Sequence, residues 1–244
     1  MHDAGIIAPI RFSKWVSNLV PTRTKTGEIR LCVDLRNVNK VSLKGNYPLP
    51  KMDHILQRVV GASRISLLDR FSCFNKILVH PDDQENTTFT TPWGTFKYVK
   101  MPFGLKNVGE TFQQAMDIAF AKEIHDFLVV YLDDLTVFSR SNQQHLDHLR
   151  QAFLKCKEYG ISLNPKKSLF GLEEGKLLGH IISKDGIIID PTRIEAILQI
   201  PHLRNVKELQ AFLGKINFLR RFIPNLAELI RLLNNMLKKD SKVK

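Results

Sequence analysis

Cysteine is scarce in this sequence and poorly spaced for bonding. Cys32, Cys73 and Cys156 are odd in number, far apart and in no Cys-x-x-Cys pattern. This excludes a disulfide framework and a structural zinc site, and leads us to expect a reducing, intracellular setting. Long apolar runs are missing too. Nothing approaches the roughly 20 residues that span a bilayer, and the N-terminal residues lack the charged-then-apolar layout of a secretory signal. There is no Gly-x-x-x-x-Gly-Lys-Ser/Thr loop, so P-loop ATPase or GTPase chemistry is unsupported. Internal repeats and low-complexity linkers are likewise absent. The last shortage is of acid: 24 Asp and Glu stand against 36 Lys and Arg, a formal net charge of +12 over 244 residues.

Against these absences, a hydrophobic content of 43% with 25% charged residues is that of a chain that folds. The basic residues are spread along the whole sequence. Such a surface draws a polyanion, nucleic acid above all, although a merely solvated cationic surface would have the same composition.

Apolar and polar residues alternate from Trp15 to Leu35 on either side of Lys25-Thr26-Gly27, which predicts a hairpin presenting Arg23, Lys25, Arg30 and Arg36. Met52, Ile55, Leu56, Val59 and Val60 recur at helical spacing up to Gly61, and a strand is expected at Ile65–Asp69. A second hairpin joins Thr87–Thr90 to Thr95–Tyr98 through Pro92-Trp93-Gly94. Next come a helix over 108–124, a strand over 127–132, a two-Asp turn, a strand over 135–139, a helix over 142–159 and a strand over 161–163. With the strand at Ile65–Asp69 as the first, the order is β-α-β-β-α-β, the split βαβ arrangement. A further hairpin is read from Leu177 to Ile189, and residues after about 186 form a small helical unit punctuated at Asp190-Pro191, Pro201 and Pro224-Asn225.

Tyr131-Leu132-Asp133-Asp134 lies between two apolar strands. Two adjacent carboxylates add nothing to a core, and by themselves read equally well as a polar hairpin turn. Topology changes the balance. In a split βαβ sheet the third strand runs antiparallel between the first and second, so the end of the first strand, Asp69, would abut the turn carrying Asp133 and Asp134. Three converging carboxylates need cations to stay ionised together. Hard oxygen donors suit Mg²⁺, with Mn²⁺ as a substitute. Two such ions about 3.5–4 Å apart can activate a primer 3′-hydroxyl and stabilise the departing pyrophosphate, so the expected reaction class is nucleotidyl transfer. Lys25 and Arg30 are candidates for binding a triphosphate, although Arg30 also reads as a surface arginine. Phe74 reads equally as a sugar gate or a core aromatic. His145 and His148, three apart with no third ligand near, fit a solvated helix face.

The ordered series Gly27-Glu28-Ile29-Arg30-Leu31-Cys32-Val33-Asp34, Tyr47-Pro48-Leu49-Pro50, Ser66-Leu67-Leu68-Asp69, Phe89-Thr90-Thr91-Pro92-Trp93-Gly94, Met101-Pro102-Phe103-Gly104-Leu105, Tyr131-Leu132-Asp133-Asp134, Leu178-Gly179-His180-Ile181 and Phe212-Leu213-Gly214 resembles the gypsy-type long-terminal-repeat retrotransposon reverse transcriptases, plant elements in particular. The resemblance implies an α+β right-hand polymerase with a ferredoxin-like palm, interleaved fingers and a C-terminal helical thumb. The implied boundaries are fingers at 1–45 and 77–105, palm at 46–76 and 106–185, and thumb, with the start of the connection, at 186–244. It implies catalytic and metal-binding roles for Asp69, Asp133 and Asp134, with the backbone carbonyl of Arg70 as a further Mg²⁺ ligand. Lys25, Arg30, Phe74, Phe103 and Gly104 would bind the dNTP, and Leu178, Gly179 and His180 would form the primer grip. Its partners would be an RNA or DNA template with its primer, and dNTPs. Its place would be intracellular, in cytoplasmic virus-like particles or the nucleus. Nothing in these residues provides the protease, ribonuclease H or integrase activities that neighbour this part in the family.

Several positions depart from the family pattern. Arg70-Phe71-Ser72-Cys73-Phe74 stands where Gly-Phe-Ser-Gly-Tyr is usual, and Cys73 puts a side chain where glycine permits close backbone approach. Val108-Gly109-Glu110 stands where Ala-Pro or Ala-Gly-Ala is typical, adding a carboxylate. These departures support a second reading, an impaired copy that only binds nucleic acid. A viral RNA-dependent RNA polymerase would share the carboxylate logic, but the Tyr-Leu before Asp133 and the bulk of Phe74 argue against it.

Overall fold

The computed structural model describes residues 1–23, 27, 29–70 and 73–237. The first stretch holds β1 (Ile7–Pro9), β2 (Leu19–Arg23), β3 (Ile29–Val33) and α1 (Arg36–Val41), followed by α2 (Met52–Val59), β4 (Arg64–Asp69) and α3 (Pro81–Gln84). After β5 (Phe89–Thr91) and β6 (Gly94–Tyr98) come α4 (Val108–Ala119), β7 (Leu128–Tyr131), β8 (Asp134–Ser139) and α5 (Asn142–Glu158). The C-terminal part contains β9 (Leu169–Leu172), β10 (Gly175–Leu177), β11 (His180–Ser183), β12 (Gly186–Ile189) and the helices α6 (Pro191–Leu198), α7 (Val206–Asn217), α8 (Leu226–Leu229) and α9 (Arg231–Met236).

The central sheet has the order β7-β8-β4-β9, all neighbours antiparallel. In units of the β-α-β-β-α-β series this places the third strand between the first and second, as expected of a split βαβ unit. Side chains alternate across the sheet, and each face buries a separate core. On one face Leu68, Leu128, Val130, Leu135 and Val137 pack against Phe112, Met116 and Phe120 of and just after α4, and against Leu149, Ala152 and Cys156 of α5. On the other, Ile65, Val129 and Phe138 meet Ile55, Leu56 and Val59 of α2 and Leu177 and Ile182 of the sheet β10-β11-β12. Leu56 and Leu128 are fully buried, and a side chain so placed contributes about 1.5–3 kcal/mol. Because the period is two, a slip of one residue in β4 or β8 would turn both cores inside out.

Two smaller sheets flank this layer. One joins β1, β6 and β5, the other is the β2-β3 hairpin. The hairpin pairs Leu19–Arg23 with Ile29–Val33, Thr22 opposite Arg30. Its tip at Lys25 and the Arg30 side chain lie outside the described residues.

The fourth strand corrects the sequence reading. Residues 161–163 form no strand, only a single antiparallel bridge from Leu163 to Arg70. Asn164 then turns the chain, its carbonyl accepting from Lys167 and Ser168 N–H and its side chain from Lys166 N–H. Pro165 offers no N–H to a ladder, so pairing with β4 begins only at Leu169. Helix α4 also ends earlier than periodicity suggests, at Ala119, with a separate 3₁₀ turn at Glu123–His125. The C-terminal hairpin gains a third strand, since Leu177 belongs to β10.

His145 is the second correction, because it lies under the sheet instead of on a solvated face, with 3% exposure. Its Nε2 is hydrogen-bonded to Ser66 Oγ at 2.7 Å and its Nδ1 to Ser139 Oγ at 2.9 Å, while Gly171 N–H donates to the same Ser66. His148 shares the Ser139 hydroxyl and stacks on Phe127. Burial first, then the charges of His148 and Arg64, push the His145 pKa below its ordinary value. The unfolded chain therefore takes up this proton first as pH falls through about 6.5, and the fold loses stability there. We expect His145→Ala to cost about 1–3 kcal/mol in urea unfolding, from the hydroxyls left without a partner, and to flatten the loss of stability below pH 6.5. An unchanged acid slope in the variant would show that another group carries it.

Candidate active site

The edge of the central sheet brings Asp69 and Asp134 together. They are Cα partners at the last rung of the β4–β8 ladder. Alternation puts both on the face of Ile65 and Phe138. Asp133 follows Leu132 in the two-residue turn closing the β7–β8 hairpin, whose final pair is Tyr131 with Asp134. Asp69 is anchored on its other side, where its N–H donates to Ser168 Oγ at 3.1 Å and its carbonyl accepts from Asn164 N–H at 2.8 Å.

Asp133 and Asp134 reach solvent at their tips, yet the turn crowds them. This desolvation raises the pKa of both. The neighbouring carboxylates add to the rise, Asp69 for Asp133 and both others for Asp134, while the Arg70 guanidinium opposes it. Carboxylates whose charge is disfavoured, as in Asp133 and Asp134, are what a divalent cation relieves, and with Asp69 as a further hard oxygen donor the chemistry fits Mg²⁺. Among the described residues, no three acidic, histidine or cysteine side chains stand close enough to hold an ion as they are placed.

The turn itself is strained. Leu132 has φ of 49°, a left-handed conformation that costs a non-glycine residue about 1–3 kcal/mol. Two side chains hold it there. Leu132 N–H donates to Gln113 Oε1 at 2.9 Å, and Gln113 Nε2 donates to Val130 O and to Asp117 Oδ1. Asp117 in turn accepts from the Tyr47 hydroxyl at 2.5 Å, which pushes the Tyr47 pKa up to about 12. Arg70, 6% exposed, donates from Nε to Asp133 O at 3.1 Å and from Nη2 to Leu132 O, with its guanidinium over the Phe112 ring at 4.6 Å. Sequence reading missed these roles. For Gln113 a signal existed: a polar residue on the apolar face of α4, between Phe112 and Met116.

The other expected residues fall into two groups. Phe74 sits in a 3₁₀ turn at Cys73–Lys76, its ring 5.1 Å from Phe112 and 6.0 Å from the exposed Phe103. It packs partly buried against the core beside the exposed Phe103. Gly104 has φ of 100°, and its carbonyl accepts from Asn39 Nδ2 at 2.7 Å. Lys25 and the Arg30 side chain lie outside the described residues. Glu110 turns its carboxylate toward Gly45, where any Cβ would collide with it. Gly109 leaves room for Leu132, whose Cδ2 would lie 3.2 Å from an added Cβ.

Leu178 and Gly179 form the β10–β11 turn, with φ of 50° and 81°. A Cβ at Gly179 would meet the Arg193 guanidinium at 2.5 Å. His180 is buried, stacked on Phe218 at 4.5 Å and Phe222 at 5.8 Å. It thus ties the sheet to the C-terminal helices. A groove of about 990 Å³ opens beside it between α2 and the end of α7, lined by Met52, Gln57, Arg220 and Arg221, the last ion-paired to Asp53.

Residues 20–182 match the sequence profile of the reverse transcriptase (RNA-dependent DNA polymerase) family. The chain is 32% identical, over its whole length, to a retrovirus-related Pol polyprotein from transposon 297 of Drosophila melanogaster, of which it covers 23%. It is 33% identical over 90% of its length to the transposon Tf2-3 polyprotein of Schizosaccharomyces pombe, covering 16% of that protein. It therefore spans less than a quarter of these relatives. In three dimensions it is similar to a foamy viral protease–reverse transcriptase in complex with double-stranded DNA, with a TM-score of 0.87 and 25% identity over 98% of this chain and 42% of that one. A second foamy viral protease–reverse transcriptase structure with double-stranded DNA gives 0.84 and 26%, over 97% and 49%. The architecture is that of a right-hand polymerase, and the chain belongs to the reverse transcriptase (RNA-dependent DNA polymerase) family.

Proposed function

We propose that the chain is the polymerase portion of a gypsy-type retrotransposon reverse transcriptase, extending a primer on an RNA or DNA template with dNTPs. The observation that supports this most is the pairing of Asp69 with Asp134 beside Asp133. On this reading the fingers comprise 1–45 and 77–105, the palm 46–76 and 106–185, and the thumb begins at 186. Asp69, Asp133 and Asp134, with the Arg70 carbonyl, would hold Mg²⁺ or Mn²⁺, whose chemistry when bound is to activate the primer 3′-hydroxyl and stabilise pyrophosphate.

The protein's own residues supply position and charge. Gln113 and Arg70 fix the carbonyls and N–H of the turn, which holds in place the backbone that carries Asp133. Phe74 and Phe103 wall the nucleotide pocket, with Phe74 excluding a 2′-hydroxyl by bulk. Lys25 and Arg30 would meet the triphosphate. His180, with Leu178 and Gly179 in the turn before it, would grip the primer beside the groove that Arg220 and Arg221 line.

A second reading, a copy that binds nucleic acid without turnover, draws on one observation: a buried arginine at the glycine position beside the carboxylates. Primer extension separates the two. With Mg²⁺ and primed poly(rA), we expect extension that Asp133→Asn lowers about 10²-fold or more, the size of losing one transition-state-stabilising group. No extension by the parent chain would favour the second reading. Both readings expect binding to primer-template to weaken with salt, log K falling by about 0.9 per phosphate neutralised per log unit of salt. Titration by fluorescence anisotropy checks this, and salt-independent binding would remove the nucleic-acid assignment.

A further inference from the structure

We propose that Asp117 and Tyr47 are positioning residues of the acidic turn: together they set the one sense of the Gln113 amide that keeps Leu132 left-handed. The inference rests on the polymerase reading above and adds to it two side chains that act on the turn from outside the carboxylate set.

A glutamine side chain has two ends of opposite character, a carbonyl that accepts and an NH₂ group that donates. Gln113 is fully buried, so its neighbours and not water decide which end faces where. Leu132 brings an N–H, 2.9 Å from Oε1, while Val130 O and Asp117 Oδ1 accept from Nε2 at 3.1 and 2.9 Å. Turning the amide over would set its NH₂ group against the Leu132 N–H, donor against donor, and its carbonyl against the Asp117 carboxylate. A carboxylate accepts with both oxygens and has nothing to donate, so Asp117 admits only the observed sense. It lies four residues beyond Gln113 on α4, where side chains are neighbours on one face.

The carboxylate is itself aimed. Its Oδ2 accepts from the Tyr47 hydroxyl at 2.5 Å while Oδ1 takes the amide. Tyr47 opens Tyr47-Pro48-Leu49-Pro50, a segment that its two prolines restrict to extended conformations, so the hydroxyl comes from a stiff support. The consequence falls on the turn. Leu132, at φ of 49°, is held by its N–H, and a Gln113 amide free to turn over leaves that N–H without its acceptor, which lowers the held population about tenfold.

The test reads the turn directly, in the full chain, by amide hydrogen exchange. Tyr131-Leu132 is the single Tyr-Leu pair in the sequence, so carbonyl-¹³C tyrosine with ¹⁵N leucine isolates the Leu132 N–H in an NMR spectrum. Asp117→Asn keeps the shape of the carboxylate and supplies an NH₂ group to a turned-over Gln113 carbonyl; Tyr47→Phe removes only the hydroxyl. We expect Leu132 exchange about tenfold faster in Asp117→Asn, a smaller rise in Tyr47→Phe, and the other leucine amides of the central sheet unchanged. Gln113→Ala should speed Leu132 by itself, and Asp117→Asn added to it should do nothing further, because the coupling runs through the amide. Leu132 exchange unchanged in Asp117→Asn overturns the inference. So does equal acceleration at every leucine amide of the sheet, or an Asp117→Asn effect that persists in full on Gln113→Ala, since either marks a general support of α4. Primer extension is measured on the same samples, where Asp117→Asn should lower kcat about tenfold with the dNTP KM held; extension at the parent rate overturns the positioning role. A parent that does not extend, with Leu132 exchange following as above, counts against the polymerase reading alone.

Discussion

The rung that pairs Asp69 with Asp134 is the constraint on which the rest depends. Two acidic residues side by side at the end of an antiparallel ladder are unfavourable, since like charges directly opposite destabilise a sheet. The ladder persists because the five rungs before it, from Arg64–Ser139 to Leu68–Leu135, commit two hydrophobic cores that cannot shift register independently. Burial on both faces forces the carboxylates together. Chemistry at this edge is thus driven by packing elsewhere in the sheet, and a polar last rung is tolerated because it costs less than turning either core outward.

A second layer of constraint works on the hairpin that carries Asp133. Its left-handed Leu132 would relax if it were not held, and it is held from opposite sides, by Gln113 through the N–H and by Arg70 through the carbonyls. The Gln113 side runs back through Asp117 to Tyr47, in the Tyr-Pro-Leu-Pro segment before α2. Three remote motifs therefore converge on one turn, and their spacing in sequence reflects that shared load.

Much of this was legible in the residues. The short apolar runs around Leu68, Val130 and Val137 marked the strands, the β-α-β-β-α-β order placed β8 between β4 and β7, and from that order the meeting of Asp69 with the Tyr-Leu-Asp-Asp turn followed. What was not legible depended on partners distant in the chain. His145 reads as polar and solvated until Ser66 and Ser139 are known to lie beneath it. The segment Ile161-Ser162-Leu163 reads as a strand until Asn164 and Pro165 are seen to break the ladder. Arg70 stood out only as a departure from glycine, and nothing local says that its side chain turns inward. For His145 and Arg70 the error came from a polar residue whose partner a linear reading does not supply.

The stacking of His180 on Phe218 and Phe222 carries a mechanical consequence. Past Asp190, the buried apolar side chains among the described residues are only Leu209, Leu213 and Leu226, so the helical unit shares little core with the sheet and meets the rest of the fold through this aromatic seam and the Arg221–Asp53 pair with α2. A body fastened along one edge swings more cheaply than it bends. The groove between α2 and the end of α7 is thus bounded on one side by a unit held along a seam, apart from the ladder that fixes the acidic edge.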